Sequence, residues 1–297
     1  MKRRTLLVLL PVAAAARAQA PLDVVASFTI LADMTREIGG DALRVTSLVG
    51  PDGDAHSFSP RPSDMRSIAA ARVLVRNGLG FEPWLDRVLR TSGFKGTDVV
   101  AAAAVQPRRL TDSHGHSHGA GRDPHAWQDP RNALLYVRAI ADGLARADAP
   151  RADLYRQRAD AYATRIRETD AWIEALFAPV PREKRRIITS HDAFGYFGAR
   201  YGIEFHAAQG VTTEGEPSAQ AIAALARQIR RDKIRVVFVE NMTNPAIIET
   251  LAREAGAVVG GRVFSDALSP PDGPAASYIA MLRHNATLFA RAFTDAG

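Results

Sequence analysis

The sequence has no cysteine in 297 residues. That excludes a disulfide framework, an iron–sulfur cluster, a thiolate zinc finger and a cysteine nucleophile. Aromatic residues are sparse, at 7%. Beyond residue 20 they nowhere interleave with a basic stripe, so no nucleic-acid surface is expected despite a formal charge of +6. Four of the 38 basic residues (Lys2, Arg3, Arg4, Arg17) and none of the 32 acidic ones lie in residues 1–20, so the rest of the chain carries only +2.

What is present begins with an export signal. A positive start precedes the apolar run Leu6 to Ala16, and small residues follow at the spacing a signal peptidase reads. The run is shorter than the roughly 20 residues that span a bilayer. Cleavage is expected after Ala18, because a cut after Ala20 leaves Pro21 beside it. Arg3-Arg4 has a faint likeness to a twin-arginine signal; an ordinary positive start is the alternative. The apolar fraction of 46% excludes a disordered or collagen-like chain. The length admits one large domain or two ordinary ones.

Short Val/Ile-rich strands then alternate with helical patterns, the mark of an α/β fold with a mostly parallel sheet. Strands are expected at 24–28, 43–49, 73–76 and 98–102, with helices at 30–38, 62–71 and 83–90. Residues 112–122 form a low-complexity loop. Two helices follow, Asn132–Ala147 and Arg151–Phe177. The second would be about 40 Å long, with Tyr155, Ala159, Tyr162, Ile166, Ile173 and Leu176 mostly on one face. It reads as a rigid strut. After Pro179–Pro181 the pattern restarts: strands at 187–189, 203–206, 236–240 and 258–264, helices at 193–201, 218–231, 245–255 and 275–293. The division is a signal over 1–20, a first lobe over 21–148, a linking helix over 149–180 and a second lobe over 181–297.

Of eight histidines, His56 and His191 lie just beyond expected strands, one in each lobe, and Asp266 follows another. Ligand sites in open α/β sheets lie outside the carboxyl ends of strands. Together with His125, in Asp-Pro-His-Ala-Trp, these make three imidazoles and one carboxylate, a sensible tetrahedral zinc set. Spacing alone does not bring them together. His206 and His284 read as structural, Trp127 as core, and Asp192 as a shaper of the pocket.

Four motifs are distinctive: Asp54-Ala-His56-Ser-Phe-Ser-Pro60-Arg-Pro-Ser-Asp64, Asp123-Pro-His125-Ala-Trp127-Gln-Asp129-Pro130, Ser190-His191-Asp192-Ala-Phe-Gly-Tyr-Phe197 and Phe264-Ser-Asp266-Ala-Leu-Ser. In these, and over nearly all of residues 22–295, the chain resembles the periplasmic zinc/manganese receptors of ABC importers. The resemblance implies two similar α/β lobes joined by a long backbone helix, with a metal site in the interlobe cleft. It places the four ligand positions on His56, His125, His191 and Asp266. Manganese-type members tend to carry Glu where this chain has His191, so Zn²⁺ is the expected cargo and Mn²⁺ the alternative. The first motif departs from the family in reading Asp54-Ala55-His56 rather than having proline before the histidine, which leaves Asp54 off the ligand set.

Zinc-type members often carry a His-rich loop near His114, His116 and His118, here an auxiliary metal loop or a solvated insert. Glu240, ending the most apolar expected strand, is a candidate to orient a ligand imidazole from behind. The implied function is periplasmic capture of Zn²⁺ and delivery to an inner-membrane ABC permease, with a periplasmic zinc chaperone as a further candidate partner and a monomeric state expected. Affinity should fall below about pH 6 as imidazoles protonate. No cysteine follows the signal, so lipid attachment is not expected. An exported zinc hydrolase is the rival, but Asp266 would fill its open position, and no His-Glu-x-x-His helix or Gly-x-Ser-x-Gly elbow occurs. Adhesion to a surface ligand has only the export signal behind it.

Overall fold

The computed structural model describes residues 20–109, 121–213 and 218–294. The expected export signal and the His-rich segment with His114, His116 and His118 lie outside these residues.

The first lobe runs β1 (Leu22–Ala26), α1 (Thr29–Gly39), β2 (Leu43–Ser47), α2 (Pro62–Ala70), β3 (Val73–Arg76), α3 (Leu85–Ser92) and β4 (Thr97–Val100). Its four strands are all parallel, in the order β2-β1-β3-β4. The helices α4 (Pro130–Ala147) and α5 (Ala152–Phe177) follow. The second lobe runs β5 (Arg186–Thr189), α6 (Gly195–Tyr201), β6 (Glu204–Ala207), α7 (Ala219–Arg231), β7 (Val236–Glu240), α8 (Pro245–Ala255), β8 (Val258–Val263) and α9 (Tyr278–Thr294). Its sheet repeats the first in the order β6-β5-β7-β8, again all parallel. The expected α/β class, two parallel sheets and long helix are all found.

The central strands are apolar because helices cover both faces. Val73, Leu74 and Val75 are fully buried, as are Val237 and Phe238. Helix starts follow local chemistry. Asp129 accepts the Arg131 N–H ahead of α4, Ser218 that of Ala221 ahead of α7, and Asn244 that of Ala246 ahead of α8. Pro130 and Pro245 stand at first helical positions, where proline costs no hydrogen bond. Gly256 ends α8 at φ 75, a conformation that a side chain disfavours.

α5 spans 26 residues, about 39 Å at 1.5 Å per residue. It packs on α1 and α4 of the first lobe and on α9 of the second. Tyr155, Tyr162, Ile166 and Ile173 form its buried stripe, while Leu176 is only half-buried. At its far end the buried Arg185 guanidinium donates to the carbonyls of Phe177, Val180 and Tyr201, joining the ends of α5 and α6 without a carboxylate. Arg200 adds a two-pronged ion pair from α6 to Asp170 on α5.

Several boundaries differ from expectation by two or three residues. The closing helix starts at Tyr278, not Ala275, where the Asp33 carboxylate of α1 accepts the Tyr278 N–H at 2.8 Å. The first strand stops at Ala26, because Ser27 and Phe28 turn into α1. α6 begins at Gly195 rather than Ala193, because Asp192 and Ala193 lie in a turn closed by the Ala193 N–H on the His191 carbonyl.

Candidate metal centre

Each sheet reverses its strand order beside its first strand, between β1 and β3 and between β5 and β7. Such switch points open a crevice at the strand carboxyl ends. In the first lobe the crevice is filled by Glu82. Its carboxylate accepts from the Ser27 hydroxyl at 2.6 Å and from the N–H groups of Asn77 and Gly78 at 2.7 and 3.2 Å. Burial pushes its pKa up, against those hydrogen bonds. Phe81, next to it, lies edge-on to His56 at 4.6 Å between ring centroids. In the second lobe His191 follows β5 and Glu240 ends β7, so both stand at the switch point.

His56, His125, His191 and Asp266 come together between the lobes. All are buried, and their candidate ligand atoms lie within 4.8 Å of one another. His56 Nε2 is 3.3 Å from His125 Nε2 and 3.3 Å from Asp266 Oδ2. His191 Nε2 is 3.1 Å from Asp266 Oδ2, and His125 Nε2 is 3.6 Å from Asp266 Oδ1. Ligands on a tetrahedral Zn²⁺ at about 2.0–2.1 Å stand roughly 3.3 Å apart. The spacing therefore matches a small cation at the centre. The donor set fits too: both ring nitrogens of His191 and both Asp266 oxygens are buried without a well-formed hydrogen bond among the described residues, Nδ1 meeting only the close Glu240 carboxylate. Such groups are costly to leave unpaired unless something charged sits among them.

The charges are mutually adjusted. Burial draws the His125 imidazole down, but the Asp266 charge and the Asp123 hydrogen bond outweigh it and push its pKa up to about 9. His191 is likewise raised against burial, by Glu240 and Asp266. Burial would raise Asp266, yet His125 and His191 hold it well below the usual carboxylate range. A cation held here would take the place of protons on these imidazoles, because ligation needs them neutral.

Carboxylates stand behind the imidazoles. Glu240 Oε2 lies 2.5 Å from His191 Nδ1, and its other oxygen accepts the His191 backbone N–H at 2.8 Å. Asp123 does the same for His125, meeting Nδ1 at 2.9 Å and the backbone N–H at 3.0 Å. The role of Asp123 escaped the sequence reading, although an aspartate two residues ahead of a histidine is a visible signal. The same Asp-x-His spacing recurs at His56, whose N–H donates to Asp54 Oδ1 at 2.9 Å. Asp54 thus supports the turn that carries His56, and its other oxygen accepts the Thr213 hydroxyl from the second lobe at 2.6 Å.

The other candidates lie elsewhere. His206 faces Gln228 and Glu204, and His284 bonds the Arg262 carbonyl at 2.9 Å on the protein's exterior. Asp192 is half-buried beside the cluster; burial and the Asp123 charge raise its pKa. Trp127 is core, as expected, in tilted and edge-on contact with Phe28, Phe81 and His125, but it also donates across the lobes to the Ser265 carbonyl.

Two α/β lobes clasping a three-histidine, one-aspartate cluster define a metal-binding solute receptor. The family model for the zinc-uptake complex component A, periplasmic, matches residues 24–292. The chain belongs to this family of metal-binding, solute-binding components of ABC transporters. It is similar to the manganese-binding lipoprotein MntA of Halalkalibacterium halodurans, at 32% identity over 90% of this chain and 87% of that protein. It is also similar to the iron-binding protein YfeA of Yersinia pestis, at 30% identity over 91% and 86%. Among solved structures, the periplasmic zinc-binding protein TroA of Treponema pallidum matches with a TM-score of 0.85 at 27% identity, covering 92% of this chain and 99% of that one. The family is one of binding proteins, not enzymes, so the hydrolase alternative falls away.

Proposed function

We propose that this protein captures Zn²⁺ outside the cytoplasmic membrane and delivers it to an ABC-type permease. His56, His125, His191 and Asp266 are the ligands in this reading. The observation that carries it is the convergence of three imidazole nitrogens on one carboxylate in a buried pocket. Imidazole-rich tetrahedral sites suit zinc, whereas manganese favours oxygen-rich shells of higher coordination. The buried Glu240 and Asp123 support the same reading, because they fix the tautomer and raise the basicity of ligand imidazoles.

Manganese is the second reading, and the naming of MntA favours it. Calorimetric titration of metal-stripped protein separates the two. Zinc binding at one site, far tighter than manganese and lost in His191→Ala, is the expected result. Tighter binding of manganese overturns the zinc assignment. Tight zinc binding that survives His191→Ala overturns the ligand set.

An export signal over residues 1–20 agrees with a location outside the cytoplasm, and among the described residues no helix is long and apolar enough to cross a membrane.

A further inference from the structure

Ser265 connects with both lobes. Its backbone carbonyl accepts two hydrogen bonds from the first lobe, from Trp127 Nε1 and Gln128 Nε2, each at 2.9 Å. Both donors belong to the single helical turn Ala126–Gln128 that directly follows His125. Its hydroxyl points the other way and donates to Glu240 Oε2, the oxygen that meets His191 Nδ1. The residue after it is Asp266. Ser265, Trp127, Gln128, Glu240, His191 and Asp266 are all fully buried.

We propose that Ser265 is a positioning residue that couples apposition of the lobes to retention of the metal. The inference rests on the metal-site reading above.

The physical argument has two halves. The Ser265 carbonyl belongs to the peptide unit that leads into Asp266. Two donors gripping that oxygen fix the plane of this peptide, and so the direction in which the Asp266 side chain leaves the backbone. When the lobes separate, both donors leave together and the peptide is free to rotate. Meanwhile, the hydroxyl occupies one face of Glu240 Oε2, which restricts that carboxylate to the rotamer facing His191. A carboxylate relieved of that bond can turn away, and the imidazole behind it loses both its orientation and part of its basicity. Loss of the interface contacts therefore frees the Ser265–Asp266 peptide, and rotation of Ser265 with it withdraws the hydroxyl from Glu240, so that both ligands of the second lobe loosen. A grip of this kind acts on the assembled site, so it slows escape of the cation rather than its entry.

The test is stopped-flow release of Co²⁺ or Zn²⁺ to a chelator, with the parent protein as reference. Ser265→Ala is expected to release metal about tenfold faster at an unchanged association rate, and to alter the visible d–d bands of the Co²⁺ form. Ser265→Thr keeps the hydroxyl and should restore both. Gln128→Met reaches the same carbonyl from the other lobe and should also speed release, which keeps the test open if Ser265→Ala fails to fold. A double-mutant cycle of Ser265→Ala with Glu240→Gln should be strongly non-additive, since both act on one imidazole. Release from Ser265→Ala within twofold of the parent, or additive effects with Glu240→Gln, overturns the coupling. A parent that binds no metal would instead overturn the functional reading, so the two failures are distinguishable.

Discussion

Asp123 Oδ1 lies 2.9 Å from His125 Nδ1 and accepts the same residue's backbone N–H at 3.0 Å. One carboxylate oxygen thus fixes both the turn and the ring that point Nε2 into the cluster. Asp123→Asn keeps the acceptor for the backbone but removes the charge that makes the imidazole a strong donor. Metal affinity is expected to fall by about 10- to 100-fold, with thermal stability of the metal-free protein nearly unchanged. Competition against a fluorescent chelator reads the first, and a melt in chelator reads the second. Parent-like affinity would remove Asp123 from the site.

The matching contact across the cleft gives a second prediction. Thr213 donates to Asp54 Oδ2, while Asp54 Oδ1 holds the His56 N–H. Thr213→Val removes one hydrogen bond to a carboxylate, worth about 1.5–3 kcal/mol at most. Affinity should therefore drop by about tenfold, and by no more than about 100-fold. Asp54→Ala dissolves the turn itself and should cost more. Chelator competition on the two variants checks the ranking, and an equal or reversed effect argues against this support of His56.

Metal removal should be visible as lost stability. A cation bound to four ligands from two lobes stabilises the folded state by mass action, by about 4 kcal/mol at a thousandfold excess over Kd. For a chain of this size that corresponds to a Tm increase on the order of 10 °C. Scanning calorimetry of stripped and Zn²⁺-loaded protein measures it. The increase should disappear in His191→Ala, whose stripped form melts close to the stripped parent. A persistent zinc-dependent increase would place the tight site elsewhere.

Much of this architecture is written locally. Val236–Glu240 is apolar enough to be a central strand, and Pro245 and Gly256 bracket α8 through backbone chemistry that neighbours alone dictate. His56, His191 and Asp266 are legible as residues beyond strand ends, which is where such sheets bind ligands. His125 follows no strand; its Asp-Pro-His-Ala-Trp context marks it as a candidate, and the family resemblance strengthens that reading. The contacts that complete the centre were harder to see. Gln128 meets Ser265 across 137 positions and Thr213 meets Asp54 across 159. No periodicity or turn signal links residues that far apart, because such pairs exist only in the assembled tertiary structure, where the two lobes meet. The Ser27–Glu82 contact, 55 positions apart within one lobe, is equally silent locally, because it depends on β1 and β3 pairing in the sheet.

Asp33 supplies the pH dependence. It sits on α1 and accepts the Tyr278 N–H at the start of α9, so it joins the first lobe to the closing helix. Burial raises its pKa to about 6; the Tyr278 bond opposes this, Glu37 adds to it, and Arg36 and Arg165 oppose it. A carboxyl whose folded pKa lies above its unfolded value near 3.8 favours folding while protonated. That contribution is complete below pH 3.8 and is lost as pH rises through about 6. At pH 8 the charge on this half-buried carboxylate works against the fold. Asp33→Asn keeps an acceptor for Tyr278 and removes the charge. It should stabilise the metal-free protein at pH 8 by on the order of 2 kcal/mol, and by much less at pH 4.5. Urea unfolding midpoints at the two pH values measure the difference. A gain equal at both, or a loss at pH 8, would show that the carboxylate is better solvated or better paired than its burial between the two helices implies.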